Sequence, residues 1–434
     1  MASLWQSVTE PPHFETLSHD LKTDVLVIGG GLAGILCTYM LKQAGVDCTL
    51  VEASRICSGI TKNTTAKITI QHGLIYDSLI RRFGRETARL YLKANQEALK
   101  QYEKMCQSID CNFARRDFYV YSLKNEEKVE EELLALDRLG VQAGYVEELP
   151  LPFSIAGAVQ VKEQAQFNPL KFAYAIAKDL PIYENTMVTE IRPKMAITNH
   201  GRIKANQIIV ASHFPFINRH GSYFLKLYQH RSYVLGLKNA PQLSGMYVDE
   251  NEKGMSFRND GDILLIGGDG HRSGKKGGGW RELERFTKKH YPQAKIAYQW
   301  ATQDCMSLDS VAYIGQYSAR TPGLYVATGF NKWGMTTSMV SAMLLRDLLL
   351  GKENPYAKVF SPSRSILRPQ LAINSIESIM GLITPTVPRC PHLGCALQYN
   401  KAEHSWDCPC HGSRFTEEGK LIDNPSLKSI KGKV

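Results

Sequence analysis

The chain has 434 residues, too many for one ordinary core, so two or three are expected. Hydrophobic residues at 43% and charged residues at 22% lie close to globular averages and exclude a disordered or fibrous chain. A formal charge of +10 suits an anionic partner, but the basic residues are scattered and no basic and aromatic recognition module accompanies them, so no nucleic-acid ligand is expected.

The first residues, Met1 to Asp20, are polar and lack a signal layout. No apolar run reaches the roughly 18 residues of a membrane span. No integral membrane segment and a cytoplasmic location are therefore expected.

Asp24 to Ile28 is a short apolar run of the kind found in a buried parallel strand, and it leads into Gly29-Gly30-Gly31-Leu32-Ala33-Gly34. Gly29, Gly31 and Gly34 occupy the three positions of the G-x-G-x-x-G fingerprint. They serve the tight turn, the close approach of a pyrophosphate and the packing of helix on strand. The following helix, about Leu32 to Ala44, aims its N-terminal N–H groups at the phosphates and ends at Gly45. A second strand, Cys48 to Val51, presents Glu52 to the ribose hydroxyls. Strand, glycines, helix, strand and acid in register point to a dinucleotide. Beyond Glu52, the small polar stretch Arg55 to Lys67, with Ser58, Gly59 and Thr61, suits wrapping a pyrophosphate and reaching a flavin ring.

The next segment shows helical periodicity over Ala88 to Cys106 and Glu126 to Leu139. About Leu225 to Tyr313 alternates like a sheet and holds the candidate substrate residues. Arg258 can anchor a carboxylate bidentately, and Tyr233 and His271 are candidate donors. The glycine-rich run Gly267 to Gly279 fits no phosphate-loop spacing and is expected to be a flexible loop over the pocket. Gly323 to Phe330 and then Asn331 to Thr337 form strand, loop and helix start. Gly329, Gly334, Met335 and Thr336 can meet the flavin, and Lys332 sits in the loop before the helix. No second glycine fingerprint follows, so a built-in NAD(P)H site is not expected.

These segments resemble the D-amino-acid oxidase and glycine oxidase family of FAD enzymes over roughly residues 22 to 350. The resemblance implies FAD, an amine or amino-acid substrate, and a backbone contact from Val188 to the adenine. Ser212-His213 stands where the family often shows Thr-Gly. The implied fold class is α/β: a Rossmann-like FAD-binding domain (1–85, 167–224 and 314–360) with an inserted α+β substrate domain (86–166 and 225–313).

A Pro-containing linker, 361–385, follows, with Leu371 to Leu382 apolar enough to dock on the body. Then come Cys390-Pro391-His392-Leu393-Gly394-Cys395 and Cys408-Pro409-Cys410-His411-Gly412-Ser413. Two cysteines and two histidines can bind tetrahedral zinc. These loops, however, closely resemble the two cluster loops of Rieske proteins. That likeness implies a [2Fe-2S] cluster held by Cys390, His392, Cys408 and His411, a disulfide between Cys395 and Cys410, and a hydrogen bond from Ser413 to a bridging sulfide. Zinc would leave Cys395 and Cys410 without a role. The tail, 386–434, is a small all-β module shortened at its N-terminal side, and its 45 residues from Cys390 are too few for an independent core. The flavin half or a partner must support it.

The expected function is an FAD-dependent oxidoreductase that oxidises an amine or amino acid by hydride transfer and exchanges electrons through the cluster with an external acceptor or donor. The alternative is a redox sensor or electron carrier with no substrate of its own.

Overall fold

The apolar run Val25 to Ile28 is fully enclosed because strand Leu21–Ile28 lies in the middle of a sheet, with parallel neighbours Arg202–Val210 and Cys48–Val51 on its two edges. A computed structural model describes residues 2–217, 219–385 and 388–430. The first sheet runs Tyr313–Gln316, Leu324–Thr328, Arg202–Val210, Leu21–Ile28, Cys48–Val51 and Ile182–Tyr183, with the hairpin Val188–Arg192 and Met195–Thr198 attached to Arg202–Val210. Helix Leu32–Gln43 packs against helix Gly334–Leu349, and both are apolar over most of their surface because both are buried in the main core. This arrangement brings both helix N-termini to the same end of the sheet, the C-terminal end of its parallel strands, where a crevice forms.

The second sheet has nine strands and is mostly antiparallel. Its long members Leu227–Lys238 and Lys295–Ser307 pair along their whole length, with Ile263–Arg272 on the other side of Leu227–Lys238. The two expected helices form as Arg85–Cys106 and Glu126–Arg138. Lys67–Ile68, from the first chain segment, joins this second sheet by pairing with Gly157–Gln166.

The tail is a four-stranded antiparallel sheet, Gln398–Asn400, Ser405–Asp407, Arg414–Thr416 and Leu421–Asp423. These strands follow or separate the cysteine loops. The support expected ahead of the first loop comes from the body of the protein. Phe415 is buried under the loops, and Trp406 packs against the same small core.

Two expectations from the sequence are corrected here. Within Gly267 to Gly279, the first half is strand, and Gly274 and Gly279 abut the tail: a Cβ on Gly274 would lie 2.5 Å from the Pro409 backbone nitrogen and one on Gly279 2.7 Å from the Ala402 Cβ. That run is a landing strip for the cysteine loop, where side chains would hold the two apart. The linker contains helix Pro369–Ile383, but it does not dock through its apolar residues. Asn374 and Gly381 face the body, and the aliphatic residues face out.

Candidate active site and iron-sulfur centre

A cavity of about 1030 Å³ opens at the crevice, at the upper end of the roughly 300–1,000 Å³ common for ligand sites. Gly29, Gly31, Glu52, Ser58, Gly59, Thr61, Val188, Gly329, Gly334 and Met335 all line it. The glycines divide by cause. A Cβ on Gly34 would fall 1.9 Å from the Gly29 carbonyl oxygen and one on Gly29 would fall 2.6 Å from the Ala211 oxygen, so both are demanded by packing. Gly31 meets only Thr61 Oγ1, at 3.5 Å, and leaves the cavity side open for a close backbone approach. Glu52 accepts from the Gly30 and Ser54 amides at 2.7 and 2.9 Å. Burial raises its pKa against those hydrogen bonds. This cradle fits an FAD dinucleotide.

Thr336 lies just inside the second helix N-terminus, but its hydroxyl is turned to His72 Nε2 at 2.9 Å, and its side chain is buried beside the cavity. His72, which the sequence does not single out, lines the cavity and stacks on Trp333 at 5.0 Å. Burial pushes it down to about 3, so it stays neutral.

Of the four candidate substrate residues, Tyr233 and Lys332 line the cavity and Arg258 and His271 do not. Arg258 is 0% exposed, donates to the Ala66 carbonyl at 3.0 Å and to Asp260 at 2.9 Å, and sits over the Trp5 ring. Both terminal nitrogens are engaged inside the protein, only Nε is left without a partner, and the side chain does not reach the cavity, so Arg258 clamps the N-terminal segment. His271 is buried behind Tyr233, with Nε2 3.1 Å from the phenol oxygen and Nδ1 bonded to the Arg272 carbonyl. It orients the tyrosine.

Sequence patterns missed three further cavity residues, Lys67, Asp304 and Glu252. Burial pushes Lys67 down to about 7, with Arg258 adding to the effect. Burial pushes Asp304 up to about 6, against the pull of Lys332 and Arg231. Burial likewise lowers Lys332, opposed by Asp304 and Glu252. Asp304 sits in the long strand Lys295–Ser307 and Lys67 in the two-residue strand Lys67–Ile68, where no spacing marks them.

The cysteine loops are brought together at the other side of the same wall. Cys395 and Cys410 are joined as a disulfide, with the Cys408 sulfur close by. The His392 and His411 rings are 5.0 Å apart and perpendicular. Cys390 and Cys408 act on each other directly, and the hydrogen bond from Cys408 pulls Cys390 down to about 7. His411 Nε2 lies 3.1 Å from the Phe224 carbonyl oxygen, which can only accept, so the proton belongs on Nε2. Its Nδ1 is buried with no hydrogen-bond partner, leaving a lone pair for a metal. Burial holds His411 at about 3 and His392 at about 4, both neutral, as imidazole ligands must be. The donor set fits a two-thiolate, two-imidazole cluster.

The second cysteine loop is anchored in the flavin half. Gln229 Nε2 donates to the His411 carbonyl at 3.2 Å and Gln303 Nε2 to the Gly412 carbonyl at 2.9 Å. Arg231 pairs with Glu403, and Arg414 gathers Glu403, Asp407 and Asp423 at 3.0 to 3.2 Å. The departure at Ser212-His213 belongs to this junction. His213 takes φ +67°, a conformation that favours glycine, and its ring reaches Gln229 Oε1 at 3.1 Å. Asp423, Asn424 and Ser426 of the tail line the flavin cavity together with His213.

Comparisons with known proteins agree with this geometry. The sequence profile of the DAO family, FAD dependent oxidoreductase, matches residues 24–348, and that of the Rieske [2Fe-2S] domain matches residues 369–432. The Rieske 2Fe-2S iron-sulfur protein YhfW of Bacillus subtilis is 34% identical over 98% of this chain and 96% of its own length. Gamma-glutamylputrescine oxidoreductase of Escherichia coli is 23% identical over 78% of this chain and 86% of its own. Glycine oxidase from Geobacillus kaustophilus superposes with a TM-score of 0.68 at 21% identity, covering 80% of this chain and all of that one, which shows a shared fold. A profile match across the whole flavin half, joined to a relative that aligns from end to end, makes this chain a member of the FAD-dependent oxidoreductase (DAO) family with a C-terminal Rieske [2Fe-2S] domain, and its cofactors are FAD and a [2Fe-2S] cluster.

Proposed function

We propose that this oxidoreductase oxidises the C–N bond of an amine or amino acid in the flavin cavity and exchanges the electrons one at a time with an external partner through the cluster. The observation that carries the reading is the shared wall. Asp423 and Asn424 of the Rieske domain line the same cavity as the glycine fingerprint and the substrate strands. When bound, FAD would supply two-electron oxidation and the cluster, which Cys390, Cys408, His392 and His411 would hold, would supply one-electron traffic.

The residues of the chain have four tasks. Gly31 and the amides at the start of helix Leu32–Gln43 receive the pyrophosphate, and Glu52 the ribose. Asp249, Glu250 and Glu252 give the cavity an acidic side that favours a cationic amine. Lys67 offers a donor to a carboxylate or amide on the substrate, and Tyr233, whose O–H is given to His271 Nε2, offers its oxygen as an acceptor. Asp304, with a pKa raised to about 6, takes the proton that an ammonium substrate must lose before its C–H bond can be broken as hydride.

The test is an anaerobic titration of the purified protein with a panel of amines and amino acids, following flavin absorbance and the EPR signal of the reduced cluster together. Flavin bleaching by one substrate followed by cluster reduction is the expected result; no bleaching by any of them removes the proposal. Asp304→Asn should lower kcat/KM by roughly 10²-fold and abolish the rise in rate as pH increases through about 6.

A further inference from the structure

Helix Pro369–Ile383 is inside out. Its stripe Gln370, Asn374, Glu377 and Gly381 faces the protein. Asn374 accepts from Arg272 at 2.9 Å and donates to the Leu225 carbonyl at 3.2 Å, and Glu377 pairs with Lys275 at 2.6 Å. Gly381 lies against the disulfide, where a Cβ would be 2.6 Å from Cys410 Sγ. The opposite stripe holds Ile373, Ile376, Ile379, Met380 and Ile383, each 49 to 66% exposed, and Leu367 just ahead of the helix is 79% exposed. Folding spends the polar face and leaves the aliphatic face in water. Contiguous apolar surface of this kind marks an interaction site.

The charges around it identify the occupant. Glu377 is the helix's one ionisable residue and faces inward, so the outer face carries no charge. Cations border both ends. Arg368, over the Phe83 ring, and the exposed Arg82 stand at the start. At the other end is half-buried Arg389, whose guanidinium donates to the Gly381, Leu382 and Gly394 carbonyls. A second copy of the chain would bring basic rim against basic rim, whereas an anionic leaflet complements both the rim and the apolar stripe. Fifteen residues make about 22 Å of helix, too short to cross a bilayer core of about 30 Å and long enough to lie in its surface.

We infer that this helix is a membrane-surface anchor that lays its aliphatic stripe into an anionic lipid leaflet. The first cysteine loop goes with it. Gly394 is next to Leu382, and Leu393, 39% exposed beside His392, extends the same apolar surface. The anchor therefore seats the outer side of the cluster at the headgroups. This inference stands apart from the substrate chemistry and holds whichever molecule the flavin cavity takes.

The experiment is co-sedimentation of the full-length holoprotein with vesicles of phosphatidylcholine alone or mixed with phosphatidylglycerol, at low and high salt. The expected result is at least about tenfold stronger partition onto the anionic vesicles, weakened by salt. Ile376→Ser combined with Ile379→Ser should lower that partition by about tenfold or more while flavin and iron content stay unchanged. No pelleting, equal partition onto both vesicle types, or equal binding by the variant would overturn the inference. So would a wild-type dimer in light scattering that the double variant dissociates, because the helix would then be covered by its own kind.

Discussion

The two cysteine loops carry the same ligand types, yet the protein treats them in opposite ways. The loop Cys408–Ser413 is embedded in the flavin half, with its backbone held by Gln229 and Gln303 and its His411 ring capped by the Phe224 carbonyl. The loop Cys390–Cys395 has an exposed tip at Pro391, Leu393 and Gly394 and is tied mainly to its neighbouring helix through Arg389 and the Ala396 amide. A Rieske domain that must visit two partners in turn needs mobility. Here one side is bolted to the flavin half and the other is exposed, so the exchange with an external partner proposed above would not require the domain to leave its seat.

The largest test of that asymmetry is Arg414→Ala. Arg414 is buried and pairs with Glu403, Asp407 and Asp423, so its removal takes the cation from buried Asp407 and leaves Glu403 to Arg231 alone, at a cost of about 3–5 kcal/mol. A module of this size cannot absorb that loss. Iron should be lost while FAD is retained, measured as the iron-to-flavin ratio of the purified variant; an unchanged ratio would mean that the bolted side is not what holds the domain. Acid should act on the same network more gradually. Burial alone would raise the pKa of Glu403, but Arg231 and Arg414 together hold it below the ordinary value. Its contribution is therefore complete above the unfolded-state pKa of about 4.3 and is lost as pH falls through the lower folded value. Iron release should begin below about pH 4 and begin at higher pH in Glu403→Gln, which has no such charge to protect.

How much of this was open to a reader of the residues alone follows from where the information sits. The dinucleotide cradle was legible because it is made by backbone: Gly29, Gly31 and Gly34 are needed whatever surrounds them, and their spacing encodes the turn. The cysteine loops were legible because ligand chemistry permits few side chains. Arg258 misled because a lone arginine in a strand has the same local signature whether it faces a ligand or, as here, the Ala66 carbonyl and Asp260. Asp304 and Lys67 were hidden because their perturbation comes from burial by distant segments. The roles of Gly274 and Gly279 and the inverted helix were hidden for a related reason, since their partner is a module more than a hundred residues away in the one case and, by inference, outside the chain in the other.

A smaller effect is expected from Gln229→Ala. The side chain bonds the His411 carbonyl and the His213 ring, and its loss leaves buried polar groups unsatisfied, at roughly 1–3 kcal/mol. The loop should open more often without falling apart. Amide hydrogen exchange at 408–413 should accelerate about tenfold or more, with exchange at 390–395 unchanged; equal acceleration in both loops would erase the difference between the bolted and the free side.

The smallest change in stability is expected from His213→Gly, and it is the most discriminating. The histidine holds a left-handed backbone that costs about 1 kcal/mol for a residue with a Cβ, and its ring hydrogen bond to Gln229 contributes about the same amount in the other direction. Glycine relieves the first and removes the second, so the melting temperature should barely move. Exchange at 408–413 should still accelerate, because Gln229 loses the ring that aims it. If the histidine were present for stability alone, the variant would melt early with the loop unaffected. A change confined to the loop would mean that a strained residue is kept at the edge of the flavin cavity because it reaches toward the cluster.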